Sequence, residues 1–600
     1  MYRGTWLLVA LPLLVAAFSV SRPAPLPAPP LPPAFDRTAA YDLAADLARS
    51  YPDRSPGSPG ATGAVQWLEQ QLHQYGFRTH VDRFEATIPG RGRVRLENVS
   101  TVAPGSSPDT IVVMAHRDNA GTGPGANDNA SGTAALVELA RGYANVGGQR
   151  ASPAHRIVFL STDGGAFGGL GADHYAAETA RQGNVVAVVN LDALGGTGRP
   201  RLEIAGDAPR SPAAALVETA AVRILEQTGS LPARPSALRQ LLDLAFPFSL
   251  YEQAPFVGRG IPAITLTSSG DRPTPSFADT PERLDKVRLA QIGGSAQELL
   301  GSLDQGVDLA QGTSSYVYLG SRLVRGWAIE LVLVASLLPF FAAAVDLFAR
   351  CRRRRIPLAP ALRSYVSRLG FWLLVGAVFL VFGLAGAWPG GTSVPPAPQS
   401  SAASHWPVVA ILGFLAACGL AWLVARDRLL PRRPIGAGEE VAGYTAALLA
   451  LAVVSLLVVA TNAFALVLLL PSLHAWLWLP QSRGRSVWVR AGLLVGGFAG
   501  PLLLLWSFGS RFGLGFHAPW YLLELTALGY IGLPALVIVL AWAAAAAQIV
   551  ALVAGRYAPY PAPGERPPRG PIRELVRRIV LARRAHRRAP AAVPGALHPQ

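Results

Sequence analysis

Apolar positions divide the chain into two regimes. From 35 to 310, short apolar blocks alternate with polar and Gly/Pro-rich stretches; from 325 to 555, long Leu/Val/Ala/Phe runs dominate. In the first regime Ile111–Met114, Ile157–Leu160 and Val185–Leu191 are short, continuous and rich in β-branched residues. That is the pattern of strands buried on both faces. Helical spacing of apolar residues covers Tyr41–Tyr51, Thr62–Tyr75 and the segment carrying Ala134, Leu136, Val137, Leu139 and Ala140. Alternation at Gly76–Phe84 and Val94–Val102 predicts two more strands. Strands interleaved with helices predict an α/β domain over 35–310.

In the second regime, runs of roughly 18 or more apolar residues are long enough to cross a bilayer as helices. They are expected at 327–349, 369–388, 406–425, 442–460, 462–479, 491–508 and 525–553, giving a polytopic α-helical membrane domain over 325–555 with about seven helices. Only Ala460-Thr461-Asn462 marks the break between the fourth and fifth. Residues 1–21 carry Arg3 and then the apolar run Thr5–Val20, a signal peptide or a signal anchor. The small-x-small sites Ala17-Phe18-Ser19 and Ser19-Val20-Ser21 are imperfect, which favours the anchor. Residues 22–34 are Pro-rich and read as a stiff linker.

Charge adds an orientation. The formal net charge is +16. Arginines cluster at Arg350 and Arg352–Arg355, at Arg426, Arg428, Arg432 and Arg433, at Arg483, Arg485 and Arg490, and through the basic tail 556–600. These clusters follow alternate expected spans, so the positive-inside rule puts the tail in the cytoplasm and 35–310 on the extracytoplasmic side of a multi-pass cell-membrane protein. The same arginines fit anionic membrane lipid and call for no nucleic-acid partner. The only cysteines, Cys351 and Cys418, fall in the membrane half, leaving 35–310 without a disulfide or a thiolate metal site. A basic complement that is nearly all Arg, with abundant Ala, Pro and Gly, points to a bacterial source with a GC-rich genome.

Candidate chemistry sits at the ends of the buried runs. The first ends in His116-Arg117-Asp118, and the loop after it carries Asp128 in Gly125-Ala126-Asn127-Asp128-Asn129-Ala130-Ser131-Gly132. The third ends in Asn190-Leu191-Asp192. A neutral imidazole with carboxylates suits Zn²⁺, and Asp118 can orient His116 by accepting its other N–H. Singly, each residue has an ordinary structural reading; Asp128, for instance, can cap the following helix.

In this order the motifs resemble the co-catalytic zinc aminopeptidases, peptidase family M twenty-eight, in a membrane-bound polytopic layout resembling the endoplasmic-reticulum metallopeptidase type. The resemblance runs through residues 37–303. It implies a mixed, mostly parallel sheet flanked by helices, with His116, Asp128 and Asp192 as ligands of one zinc and Asp118 behind His116. The family's "D-G-E-E-x-G" falls on Asp163-Gly164-Gly165-Ala166. Its general base is therefore absent, with Gly165 at that position, and its second-metal Glu is replaced by Ala166. The last His ligand, four residues before the family's Asp-Thr, falls on Pro275. "S-D-H-x-P-F" falls on Tyr251-Glu252-Gln253-Ala254-Pro255-Phe256.

The resemblance thus implies a degenerate active site holding one zinc at most. Some family members that have lost metals serve as receptors or as assembly subunits of membrane complexes. The expected function is a pseudo-enzyme that binds a peptide or protein ligand on the extracytoplasmic side. The alternative is an active hydrolase, a single-zinc metallo-aminopeptidase with a substitute base among Asp163, Asp173 and Glu252. A transporter rests only on the spans, whose few acidic residues (Glu330, Asp346, Glu524) lie near span ends.

Overall fold

The computed structural model describes residues 2–146, 149–150, 152–270, 275–305, 312–390, 395–398, 405–429, 435–482, 484–555 and 576–581. Most of the tail 556–600 therefore lies outside the described residues.

The α/β unit is built on a seven-stranded sheet: β1 (His80–Ile88), β2 (Gly92–Ala103), β3 (Thr110–His116), β4 (Arg156–Thr162), β5 (Val185–Asp192), β6 (Arg201–Glu203) and β7 (Ala263–Thr267), in the order β1-β2-β4-β3-β5-β7-β6. The four central strands β4, β3, β5 and β7 are parallel, and β1, β2 and β6 add antiparallel edges. This is the mixed, mostly parallel sheet expected. Every residue of β3 is buried, as a strand covered on both faces requires. Ile111, Val113 and Ala115 face one core; Val112 and Met114 face the other.

Helices cover both faces. On the larger core lie α2 (Arg37–Ser50), α3 (Pro59–Gln74), α4 (Gly132–Arg141), α6 (Ala214–Thr228) and α8 (Lys286–Gln305); α5 (Leu170–Gln182) covers the opposite face. Asp36 starts α2 by accepting from the Thr38 and Ala39 amides. Ser58 caps α3, ahead of Pro59 at its first position. A further α1 (Leu7–Phe18) precedes the unit and packs against the helix Gly326–Ala335.

Two expected boundaries change. The Pro-rich 22–34 segment is not a free spacer, because the Leu26 amide donates to Thr219 Oγ1 at 2.8 Å and Arg223 donates to the Leu26 carbonyl. The α/β core also continues past 310, into a hairpin of β8 (Tyr316–Leu319) and β9 (Arg322–Arg325) that buries Tyr316, Tyr318 and Leu323.

Among the described residues, five helical segments are long and apolar enough to cross a membrane: Gly326–Arg353, Ala359–Leu384, Val408–Arg426, Ala437–Ser482 and Leu533–Val553. The bent pair Val487–Gly496 and Ala499–Arg511 makes a sixth if read as one broken span. The expected break between 442–460 and 462–479 is present: the helix Ala437–Asn462 ends at Asn462, whose backbone is extended (φ −157°, ψ 100°) and whose side chain accepts the Phe464 amide, and after the 3₁₀ turn Ala463–Ala465 a separate helix, Leu466–Trp478, begins. The last helix begins at Leu533, preceded by the shorter Ala518–Ala527.

Candidate metal centre

Parallel pairing brings the carboxyl ends of β3, β4, β5 and β7 to one edge of the sheet, where folds of this kind place their ligands. His116 is the last residue of β3 and Asp192 the last of β5. Asp128 comes from the loop between β3 and α4. One ligand atom from each of His116, Asp128 and Asp192 lies within 4.8 Å of the others. His116 Nε2 is 3.4 Å from Asp128 Oδ1, and on the ring's far side Nδ1 is 3.3 Å from Asp118 Oδ1. All four expected residues converge, with Asp118 in its orienting place.

The loop is held by groups that motif spacing did not single out. Asp279 accepts the Asn127 amide on one oxygen at 2.7 Å and the Asp128 amide on the other at 2.8 Å. Asn129 donates to the Leu191 carbonyl and accepts the Ala193 amide, tying the Asp128 loop to the end of β5. Thr133 Oγ1 donates to the His116 carbonyl at 3.0 Å. Behind them the fully buried Arg54 guanidinium donates to the carbonyls of Tyr51, Arg117, Pro124 and Gly125. The family's Asp-Thr, which falls on Asp279-Thr280, was the available signal for Asp279. Asn129 and Arg54 carried none, since their partners are backbone groups far along the chain.

Around Gly165 and Ala166 the backbone itself lies against the site. The Gly165 and Ala166 amides donate to Asp118 at 2.8 and 3.0 Å. A Cβ built on Gly165 would lie 2.3 Å from His116 Cγ. Pro275 is exposed and offers no donor.

Of the candidate bases, Asp163 is buried but engaged: it accepts from the Glu97 and Gly164 amides and lies 3.3 Å from Arg117. Asp173 is paired with Arg259 at 2.7 Å. Glu252 remains. Its Oε1 accepts from Thr162 Oγ1 at 2.7 Å, and Thr162 is the β4 residue paired with His116. The other oxygen, Oε2, is buried with no hydrogen-bond partner among the described residues.

The electrostatics match a cation. Asp118, Asp128, Asp192 and Glu252 surround a single imidazole. Burial works against protonation of His116, but its hydrogen bonds to Asp118 and Asp128 hold its pKa well above the ordinary value. Burial pushes Asp192 up to about 7, the Asp128 charge adding to it. Burial likewise pushes Glu252 up to about 7, against the pull of His116. One imidazole and two carboxylates are a fitting donor set for zinc, and a divalent ion would neutralise the surplus of negative charge. A second convergent cluster, Asp82, His174 and Glu178, lies on the surface, with His174 stacked on Phe84.

A pH dependence follows. With His116 raised well above its ordinary value and Asp192 pushed up to about 7, zinc competes with protons for both groups. Zinc affinity of the full chain is expected to rise from about pH 6 to about pH 8, across the Asp192 titration, with protons released as zinc binds. Titration calorimetry in buffers of different ionisation enthalpy measures this, and a flat pH profile would remove Asp192 from the ligand set.

Comparison with known proteins bears on these residues. Residues 98–298 match the model of Peptidase family M28. BOS complex subunit NCLN of Homo sapiens is 28% identical over 253 residues, 39% of this chain and 44% of that protein. A protein of Pyricularia oryzae described as "Probable zinc metalloprotease" is 33% identical over 157 residues, 23% of this chain and 30% of that protein. Among solved structures, an aminopeptidase from Aneurinibacillus sp. strain AM-1 aligns at 17% identity over 44% of this chain and 93% of that chain, with a TM-score of 0.36. The chain spans less than half the length of the curated relatives it matches. The motif residues gathered at one sheet edge, His116, Asp128 and Asp192, all lie within residues 98–298, the stretch that matches the model of Peptidase family M28.

Proposed function

We propose that this chain is a membrane-anchored peptidase-family protein whose α/β unit binds an extracytoplasmic peptide or protein ligand at a single-zinc site, without two-metal hydrolysis. The observation that carries the reading is the turn 164–169. Its backbone lies against His116 where the family's base and second-metal ligand would project, and Gly165, Ala166 and Pro275 supply neither. His116, Asp128 and Asp192 would hold the ion; Asp118 orients His116, and Asp279 and Asn129 hold the Asp128 loop. When bound, zinc would polarise a carbonyl or carboxylate of the ligand. Losing the partner metal and a base worth about 10²–10⁴-fold removes most hydrolytic power. The relative named as a subunit of the BOS complex supports a partner-binding role, and the arginine pattern supports an extracytoplasmic α/β unit and a cytoplasmic tail.

Glu252 favours a second reading, a single-zinc aminopeptidase in which its unpartnered oxygen takes the proton from the attacking water. Elemental analysis of the purified full chain, with turnover of aminoacyl substrates, separates the two. About one zinc and no turnover supports the binding reading. Turnover that Glu252→Gln lowers by about 10²-fold or more supports the second, and two zincs with turnover would overturn both.

A further inference from the structure

The segment that delivers Glu252 is gripped by the membrane half. The helix α7 (Ala237–Ala245) ends against Asn462, which sits between the membrane-half helices Ala437–Asn462 and Leu466–Trp478. The Asn462 amide donates to the Leu244 carbonyl at 2.8 Å and to the Ala245 carbonyl at 3.2 Å, satisfying groups that a helix end leaves open. Just before, Asp243 pairs with Arg511 at 2.7 Å, with side chains 14% and 7% exposed. Just after, Phe248 is buried among the rings of Phe508, Phe512, Tyr521 and Tyr530, with centroids 5.0 to 6.1 Å away. Tyr530 donates to the Pro247 carbonyl at 2.9 Å and lies 3.2 Å from Asp207.

From Phe248 to Glu252 the connection has no slack. Ser249 Oγ accepts both the Tyr251 amide and the Gln253 side-chain amide, and Gln253 also donates to the Ala205 carbonyl. Glu252 then reaches the site, one oxygen on Thr162 and the other unpartnered. On the opposite side, a Cβ built on Gly169 would lie 3.5 Å from Glu252 Cγ.

We propose that the membrane half is the scaffold of the metal centre: Phe248 and the Asp243–Arg511 pair are positioning residues that hold Glu252 beside His116. The site is therefore complete only while the region 504–530 is folded against the α/β unit. The bilayer-facing helices thus do more than anchor the domain. A change in their packing moves a carboxylate at the ligand site.

The test uses the full chain in detergent or lipid nanodiscs, with zinc affinity read by chelator competition; this readout rests on the single-zinc reading above. Glu252→Gln is expected to weaken zinc about 10-fold, the lower end of what a carboxylate outside the ligand shell contributes. Phe248→Ala should weaken it similarly alone and add nothing in the Glu252→Gln background. Arg511→Gln should behave like Phe248→Ala, whereas Arg511→Lys keeps the pair and the affinity. Additive losses in the double variants would overturn the proposal, because a merely structural contribution acts equally in both backgrounds. If Phe248→Ala does not fold, the Arg511→Gln and Arg511→Lys pair decides by the same criterion. If the unaltered chain binds no zinc, the metal reading falls and hydrogen exchange decides instead. Arg511→Gln should then speed exchange of amides 249–256 and leave those of α2 and α4 unchanged; unchanged exchange at 249–256 would overturn the positioning role.

Discussion

His116→Ala in the full chain is expected to weaken zinc binding by roughly 10²–10³-fold. A four-ligand zinc site is worth about 10–16 kcal/mol at neutral pH, so one ligand accounts for about 3–4 kcal/mol, which is that factor. Here the effect has two parts. The imidazole is the one nitrogen donor of the cluster, and its loss leaves Asp118, Asp128 and Asp192 facing one another with no cation between them. His80→Ala, at an exposed strand position, is the control and should leave the metal in place. Chelator competition measures the affinity and elemental analysis the stoichiometry. Zinc retained in full by His116→Ala would place it elsewhere, at Asp82, His174 and Glu178.

The second large effect is at Gly165. Returning a side chain to the position of the family's base should not revive a peptidase; it should break the site. The nearest His116 atoms lie 2.3 and 2.4 Å from a Cβ at Gly165, inside the 3.0 Å that real Cβ atoms respect. Either the imidazole swings away from Asp128 or the 164–169 turn lifts off Asp118. Overpacking of this kind costs about 1–3 kcal/mol in stability. Both Gly165→Ala and Gly165→Glu should therefore lower the thermal midpoint and weaken zinc together, with no turnover gained. If Gly165→Glu instead hydrolyses aminoacyl substrates, the turn re-forms easily and the non-hydrolytic reading is wrong.

The convergence of His116, Asp128 and Asp192 was largely legible before any fold was known, for a local reason. His116 and Asp192 close buried apolar runs, and Asp128 lies in a Gly/Asn-rich loop between a strand and a helix pattern. Each is visible within about ten residues of its own context. Parallel pairing of β3, β4 and β5 then carries those ends to one edge. The proposed degeneracy is also a local matter, since Gly165, Ala166 and Pro275 are positions in short motifs. Helix boundaries in the membrane half were less legible. Hydropathy marks apolar length but cannot see that 487–511 bends by 60°.

Among the three bases left open, sequence proximity pointed to Asp163. The structure favours Glu252, because burial alone does not make a free carboxylate: Asp163 spends its oxygens on backbone amides and Arg117. The Pro-rich segment misled in the same way. Its composition describes an unpartnered chain, and here α6 and α8 supply the partners.

The sequence by itself determined the α/β class, the order of the candidate ligands His116, Asp128 and Asp192, and the long apolar helices of the second half. These are properties of composition, period and spacing. Only the tertiary structure decided that Asp279 clamps the Asp128 loop from 151 residues away, that Gly165 lies against His116, and that Phe248 hands Glu252 to the site from among membrane-half aromatics. Those contacts join segments tens to hundreds of residues apart, and no local pattern encodes which distant surface a buried side chain will meet.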